Sequence, residues 1–372
     1  MPRSGTIALA GLAALSVAMG IGRFAFTPIL PMMQADSGVS LAQGSWLASA
    51  NYAGYLAGAL FAGGAPRPRL AIRAALVAIA LVTFAMGLAS GLLAWLILRF
   101  AAGVASAYAL VHVSSWCIEQ LALHGGARGI GVLYAGVGAG SAVAGALCAV
   151  LVPLGGSAAQ AWFLLGILSL VIAAAVWPVL GAGAKAHASV KRSGRYRWTG
   201  ESVRLVVCYG AYGFGYIIPA TFVPVMAKAA LPDPRLFGWA WPIFGLTAAA
   251  STLLAARASA LLSEREVWRW SAAAMALGVA APVLFAGALG IVLAAIFVGG
   301  TFVVITMVGM QEARRVAGSH APALMAALTA AFALGQILGP LSVPLLVAHG
   351  GFAAALLAAS GVLALSAVLL PR

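Results

Sequence analysis

Ionisable residues are nearly missing from the interior of this sequence. From Gly129 to Ala184 there is no Asp, Glu, Lys, Arg or His, and only 8% of the whole chain is Asp, Glu, Lys or Arg. A water-covered surface needs far more charge than that. These runs therefore face lipid. One membrane-spanning helix takes roughly 20 apolar residues, and the 372 residues with their short polar breaks accommodate about twelve. Backbone groups must be paired internally in hydrocarbon, so only helices or a closed barrel can span. The runs lack period-2 alternation, which excludes the barrel. The expected fold is an all-α membrane protein of twelve transmembrane helices.

The breaks set the boundaries. Ala65-Pro66-Arg67-Pro68-Arg69, Gly155-Gly156-Ser157, Leu231-Pro232-Asp233-Pro234 and His349-Gly350-Gly351 are loop signals. Helices are expected near 6–31, 40–62, 70–89, 92–118, 129–152, 159–181, 203–227, 236–256, 268–286, 290–311, 321–347 and 352–370. The stretch from Thr6 to Pro31 is too long for a signal-peptide core and reads as a retained first helix. Cys117, Cys148 and Cys208 lie in apolar runs and read as packing residues. Their spacing suggests neither a metal site nor a disulfide framework, and no cofactor is expected.

A net charge of +14 invites a nucleic-acid reading. Its placement argues against one. With the N-terminus in the cytoplasm, seventeen of the 21 Lys and Arg fall on the cytoplasmic side, two (Lys228 and Arg235) fall outside, and Arg23 and Arg99 lie within helices. That asymmetry is the positive-inside rule, and it puts both termini in the cytoplasm. The expected location is the bacterial inner membrane, with lipids as neighbours and no nucleic-acid partner.

The two halves are related. At a shift of 193, Pro31 falls on Pro224, Met33 on Met226, Trp46 on Trp239 and Glu119 on Glu312. At 195, Gly140 falls on Gly335. The chain divides into a first six-helix bundle (1–182), a basic cytoplasmic linker (183–202) and a second six-helix bundle (203–372). Such parallel repeats are the plan of many secondary transporters.

That plan, the Arg99-x-x-x-Gly103 element of the fourth helix and the glycines 131, 136, 138, 140 and 145 of the fifth resemble the major facilitator superfamily (MFS). A narrower likeness runs over Gly20-Ile21-Gly22-Arg23-Phe24-Ala25-Phe26-Thr27-Pro28 to Gln34 and over Trp46-Leu47-Ala48-Ser49-Ala50-Asn51-Tyr52 to Leu60. These segments resemble the opening of the YbfB/YjiJ-type subfamily. The resemblance implies a transporter working by alternating access and assigns no substrate. The loop Gly63–Arg69 departs from the family pattern because it lacks an acid. The gating salt bridge ascribed to that loop is therefore not expected here.

Ionisable groups at membrane depth are functional candidates. All seven acids fall in loops or at helix ends. Arg23 lies about 12 Å in from the outer end of its helix at 1.5 Å per residue, and Arg99 lies at similar depth. A guanidinium cannot shed its proton, so it needs an anion or carbonyls. The expected substrate is a small organic anion. Asp36 reaching back to either arginine is the competing arrangement, as is carbonyl ligation. His112, one turn past Tyr108, is the candidate carrier of a coupling proton. Asn51, Tyr55, Tyr134, Tyr212, Tyr216 and Gln336 are the candidate neutral lining, with Arg23, Arg99 and Tyr108, of a substrate site. Pro28/Pro31 and Pro219/Pro224 are expected to kink the first and seventh helices.

Glycine pairs at i, i+4 (Gly54/Gly58, Gly136/Gly140, Gly335/Gly339) are expected to form seams inside a monomer. No phosphate-binding loop motif occurs, so direct ATP drive is unsupported. Three other readings remain open. One is multidrug-type efflux of amphiphiles. The others are an intramembrane enzyme, with His124/Glu119 and His320/Glu312 as its only acid–histidine pairs, and a sensor that kept the fold without transport.

Overall fold

The computed structural model describes residues 4–62, 68–123, 129–180, 196–230, 238–258 and 262–370. Most of the expected linker, Arg67, Arg128, Lys185 and His124 lie outside the described residues.

The described residues are helical with no strand. The helices are α1 (Ser4–Leu15), α2 (Phe26–Ser37), α3 (Leu41–Ala62), α4 (Pro68–Leu88), α5 (Leu92–Leu123), α6 (Gly129–Leu151) and α7 (Ala158–Val176). They continue with α8 (Gly200–Ala230), α9 (Ala240–Ala258), α10 (Glu264–Leu284), α11 (Ala288–Ala317) and α12 (Ala321–Leu369). Among the described residues, nine stretches are long and apolar enough to cross a membrane, α1 and α2 together forming the first. Helix α12 is two helices run together. Gly350 and Gly351 leave helical geometry inside it, and Gly351 takes φ +64° and ψ −170°, which a side chain would resist. Helix thus falls within each expected segment among the described residues, with the first interrupted between Ile21 and Phe26 and the last break at the expected glycines.

Packing repeats between the halves. In the first half α1 packs on α6 and α3 on α5, and in the second α8 packs on α12 and α9 on α11. The halves meet where α6 packs on α9, α3 on α12 and α2 on α8. Glycine makes these approaches possible. A Cβ at Gly54 would strike the Phe100 carbonyl, and one at Gly103 the Asn51 carbonyl. A Cβ at Gly136 would strike the Leu12 carbonyl, and one at Gly335 the Gly210 carbonyl. The three expected glycine pairs therefore pack inside the chain. The three cysteines are free and buried.

The first helix breaks just before Pro28, whose missing N–H and ring disfavour continued helix around Phe24, four residues earlier. Residues Ser16–Ile21 form a π-helix, and a turn carries the chain to Phe26. Pro31 lies inside α2, and Pro219 and Pro224 lie inside α8. The turn before Phe26 thus agrees with Pro28, while the π-helix at Ser16–Ile21 lies earlier than the prolines suggest. Gly22 N–H reaches the Val17 carbonyl at 2.8 Å and Phe24 N–H the Met19 carbonyl at 3.1 Å. Both are i→i−5 bonds of the kind found at functional π-bulges.

Candidate functional site

The break in the first helix frees a backbone acceptor. Thr27 N–H turns to the Phe24 carbonyl at 3.1 Å, so the Arg23 carbonyl loses its ordinary helical partner. Arg99 takes it, donating from Nη2 at 3.2 Å. Arg99 Nε also points at the Leu47 carbonyl at 3.5 Å, and its guanidinium lies 4.6 Å from the Phe26 ring centroid. Asn51 donates from Nδ2 to the Arg99 carbonyl at 2.9 Å. The fourth helix is thereby tied to the second, and both to the broken first.

Arg23 has different surroundings. It is 2% exposed. Its Nη2 donates to Gln336 Oε1 at 2.5 Å, across 313 residues of sequence. Its guanidinium lies 3.9 Å from the centroid of Tyr55, 5.1 Å from Tyr52 and 5.5 Å from Phe24. Its Nε, also buried, has no hydrogen-bond partner among the described residues. Gln336 in turn donates from Nε2 to the Tyr216 hydroxyl. Burying a guanidinium at mid-membrane costs about 3 kcal/mol on insertion scales. A desolvated cation–π contact returns about 2 kcal/mol and a charged hydrogen bond about 2 kcal/mol more. The cation is therefore tolerable where it sits without a carboxylate.

Behind Tyr216 lies a block of aromatic rings. Tyr216 is nearly parallel to Phe302 (5.7 Å, 3°) and to Phe332 (5.6 Å, 7°). Tyr212 stacks on Tyr216 at 5.1 Å, and its hydroxyl donates to the Phe302 carbonyl at 2.6 Å. Tyr52 hydroxyl and Thr221 Oγ1 lie 3.4 Å apart across the two halves. Arg23, Asn51, Tyr55, Arg99, Tyr212, Tyr216 and Gln336, all expected from the sequence, thus form one connected group. Tyr108 and Tyr134 are half-buried, and the Tyr108 ring lies 6.0 Å from that of His112. Tyr52, Phe24, Phe302, Phe332 and Thr221 complete the environment. The two distant phenylalanines carried no signal, since an apolar ring in an apolar helix looks the same facing lipid or facing a site.

Asp36 does not reach back to either arginine. Its Oδ2 accepts the Ala158 N–H at 2.5 Å, at the start of α7. Near it, Pro31, Met32, Cys148, Lys228 and Trp241 help line a cavity of about 420 Å³ between the two halves. Lys228 Nζ donates to the Pro31 carbonyl at 3.2 Å, holding α8 against α2 at that end. Arg23 is not part of this cavity's lining.

The ion pairs among the described residues gather at the opposite end. Glu312, fully buried, accepts from Arg265 Nε at 2.5 Å and from Arg315 Nη2 at 2.7 Å, while Arg265 also pairs with Glu201. Glu312 is thus a structural anion joining α8, α10 and α11, in place of the solvated loop acid beside His320 suggested by its position in the chain.

Comparison with known proteins bears on what this arrangement serves. Residues 15–371 match the family described as "Uncharacterised MFS-type transporter YbfB". Comparison with curated proteins returns no match. The crystal structure of the nucleoside transporter NupG is similar in fold, with a TM-score of 0.71 at 14% identity over 98% of each chain.

Proposed function

The chain belongs to the YbfB-type family of MFS transporters, a multi-pass membrane secondary transporter and not an enzyme, and we propose that its cargo is a small organic anion moved by alternating access with Arg23 as its counter-ion. One observation carries the reading. Arg23 is a buried cation between the two halves whose polar partners are neutral, the Gln336 amide and the Tyr55 hydroxyl, and whose other neighbours are aromatic rings. Intramembrane cations ordinarily face a partner or a substrate path. Arg99, ligated by carbonyls, positions the Arg23 backbone. Asn51, Tyr55, Tyr212, Tyr216 and Gln336 frame the site, and Tyr108 and Tyr134 line its approach. His112 carries the coupling proton, because an imidazole titrates near neutrality. The protein works as a monomer in the inner membrane with both termini cytoplasmic.

The test is thermal stabilisation of the purified protein by a panel of organic acids, cations and neutral metabolites. A ligand at a hundred times its dissociation constant adds about 2.7 kcal/mol. The expected outcome is a shift by an acid that Arg23→Ala abolishes. A shift only by cations or amphiphiles, unchanged in Arg23→Ala, would favour multidrug-type efflux. In proteoliposomes, His112→Ala should lose accumulation driven by a pH gradient while keeping solute exchange. Gradient-driven accumulation equal to wild type would remove the histidine from coupling.

A second reading is favoured by the near-parallel Tyr216, Phe302 and Phe332 rings. Such a block suits a flat heterocycle, and the similar structure is that of a nucleoside transporter. A nucleoside shift that survives Arg23→Ala would support it.

A further inference from the structure

The side-on edge of a guanidinium presents two parallel N–H bonds, from Nε and from Nη2. A carboxylate fills both at once, which is the strong bidentate geometry. On Arg23 this edge is half filled. Nη2 meets Gln336 Oε1 at 2.5 Å, while Nε is buried with no hydrogen-bond partner among the described residues. An amide oxygen matches a carboxylate oxygen in size and direction but carries no full charge. Its other arm is occupied too, because Gln336 Nε2 donates to the Tyr216 hydroxyl. Gln336 therefore offers the cation one weak acceptor and nothing further.

The bond also spans the molecule. Arg23 stands in the broken first helix, and Gln336 and Tyr216 stand on α12 and α8. Beside that bond, in the α3–α12 contact, Ser49 Oγ donates to the Ile337 carbonyl at 3.0 Å, one residue further along. Whatever takes the Nε/Nη2 edge of Arg23 away from Gln336 cuts a tie between the halves at mid-membrane.

We propose that Gln336 is an internal stand-in for the substrate's carboxylate: a monocarboxylate displaces its amide from Arg23, fills both N–H positions, and by the same exchange unties α12 from the first helix. This rests on the reading of Arg23 as the anion site. It narrows the cargo to solutes with one planar carboxylate whose body can lie among the Tyr52, Tyr55 and Tyr216 rings. It also makes binding and release of the halves one event, since the tie present in the empty protein is absent from the loaded one.

Benzoate, acetate and neutral benzamide serve as probes, with inorganic phosphate as a non-planar anion. Thermal shifts against concentration are measured on wild type, Arg23→Ala, Gln336→Ala and Gln336→Glu, and each variant's ligand-free melt shows that it folds. Benzoate should shift wild type and benzamide should not. Gln336→Ala removes the competitor and should tighten benzoate about tenfold, the value of one charged hydrogen bond no longer broken on binding. Gln336→Glu supplies a built-in carboxylate. It should melt above Gln336→Ala and lose the benzoate shift, and cysteine accessibility should show its halves held together. If benzoate stabilises wild type through Arg23 but binds Gln336→Ala no more tightly, or still binds Gln336→Glu, the stand-in is overturned while the anion site stands. If phosphate shifts the protein through Arg23 and neither carboxylate does, the monocarboxylate class is overturned. If no anion shifts wild type or Gln336→Ala, the anion site falls and the stand-in with it.

Discussion

Arg99 directs Nη2 at the Arg23 carbonyl and Nε at the Leu47 carbonyl, so its charge is met by backbone rather than by a solute. Arg23 holds one amide oxygen and a ring face. Two guanidiniums at similar depth therefore differ in what replacement should do. Arg99→Ala leaves the Arg23 carbonyl, exposed by the π-turn, without its donor. Hydrogen bonds to charged groups contribute about 1.5–3 kcal/mol each, so Arg99→Ala should lower the melting free energy by about 2–4 kcal/mol while an anion-induced shift persists in weakened form. Arg23→Ala should do the reverse, with a small stability change and no anion response. Equal loss of stability in both variants would show that the two cations share one structural role.

At the scale of elements, α3 and α5 approach closely enough that their backbones touch through glycine. A Cβ at Gly54 or Gly103 would meet a carbonyl rather than the yielding end of a side chain. In lipid the driving force for such contacts is packing itself. Gly103→Leu should therefore cost about 1–3 kcal/mol or more by overpacking, and it should also displace Asn51, whose carbonyl faces Gly103 and whose amide bonds the Arg99 carbonyl. A thermal melt reads the first effect and the anion-induced shift the second. Gly361, with open space where a Cβ would stand, is the control position, and Gly361→Leu should melt like wild type. The first helix follows the same logic in another form. Its π-turn and the 3₁₀-type Thr27–Phe24 bond leave a carbonyl unpaired, and a neighbouring helix supplies the donor.

For the whole molecule, three groups of helix contacts among the described residues join the halves, besides the Tyr52–Thr221 and Phe24–Phe302 approaches. α6 and α9 meet through Gly138 and Gly245, α3 and α12 through Ser49 and Ile337 beside Arg23 and Gln336, and α2 and α8 through Pro31 and Lys228. Alternating access needs some of these to part. Joining Ser49→Cys to Ile337→Cys by a disulfide should hold the α3–α12 contact closed. Flux in proteoliposomes should then stop and return on reduction. Undiminished flux with the bond formed would place the moving contact elsewhere. The Glu312 network, which links α8, α10 and α11 within the second half, is expected to move as one piece.

The sequence by itself determined that the chain is a bundle of lipid-embedded helices, where the helices lie and where the loops between them fall. Hydropathy and loop punctuation are properties of consecutive residues, and the bilayer turns them directly into spans. It also singled out Arg23, Asn51, Gln336 and the tyrosines of the seventh helix, because polar groups are rare in apolar runs. Only the tertiary structure decided which arginine is satisfied by backbone and which is left with neutral side chains. That depends on a donor 76 residues away taking the carbonyl that the broken helix leaves open, which no local pattern of residues records. The same holds for Phe302 and Phe332, ordinary apolar residues until α8 and α12 bring Tyr216 between them, and for Glu312, which looks like a loop acid until Arg265 arrives from α10. Side-chain partners across a fold are set by three-dimensional packing, and a membrane sequence, with so few residue types in use, records little of it.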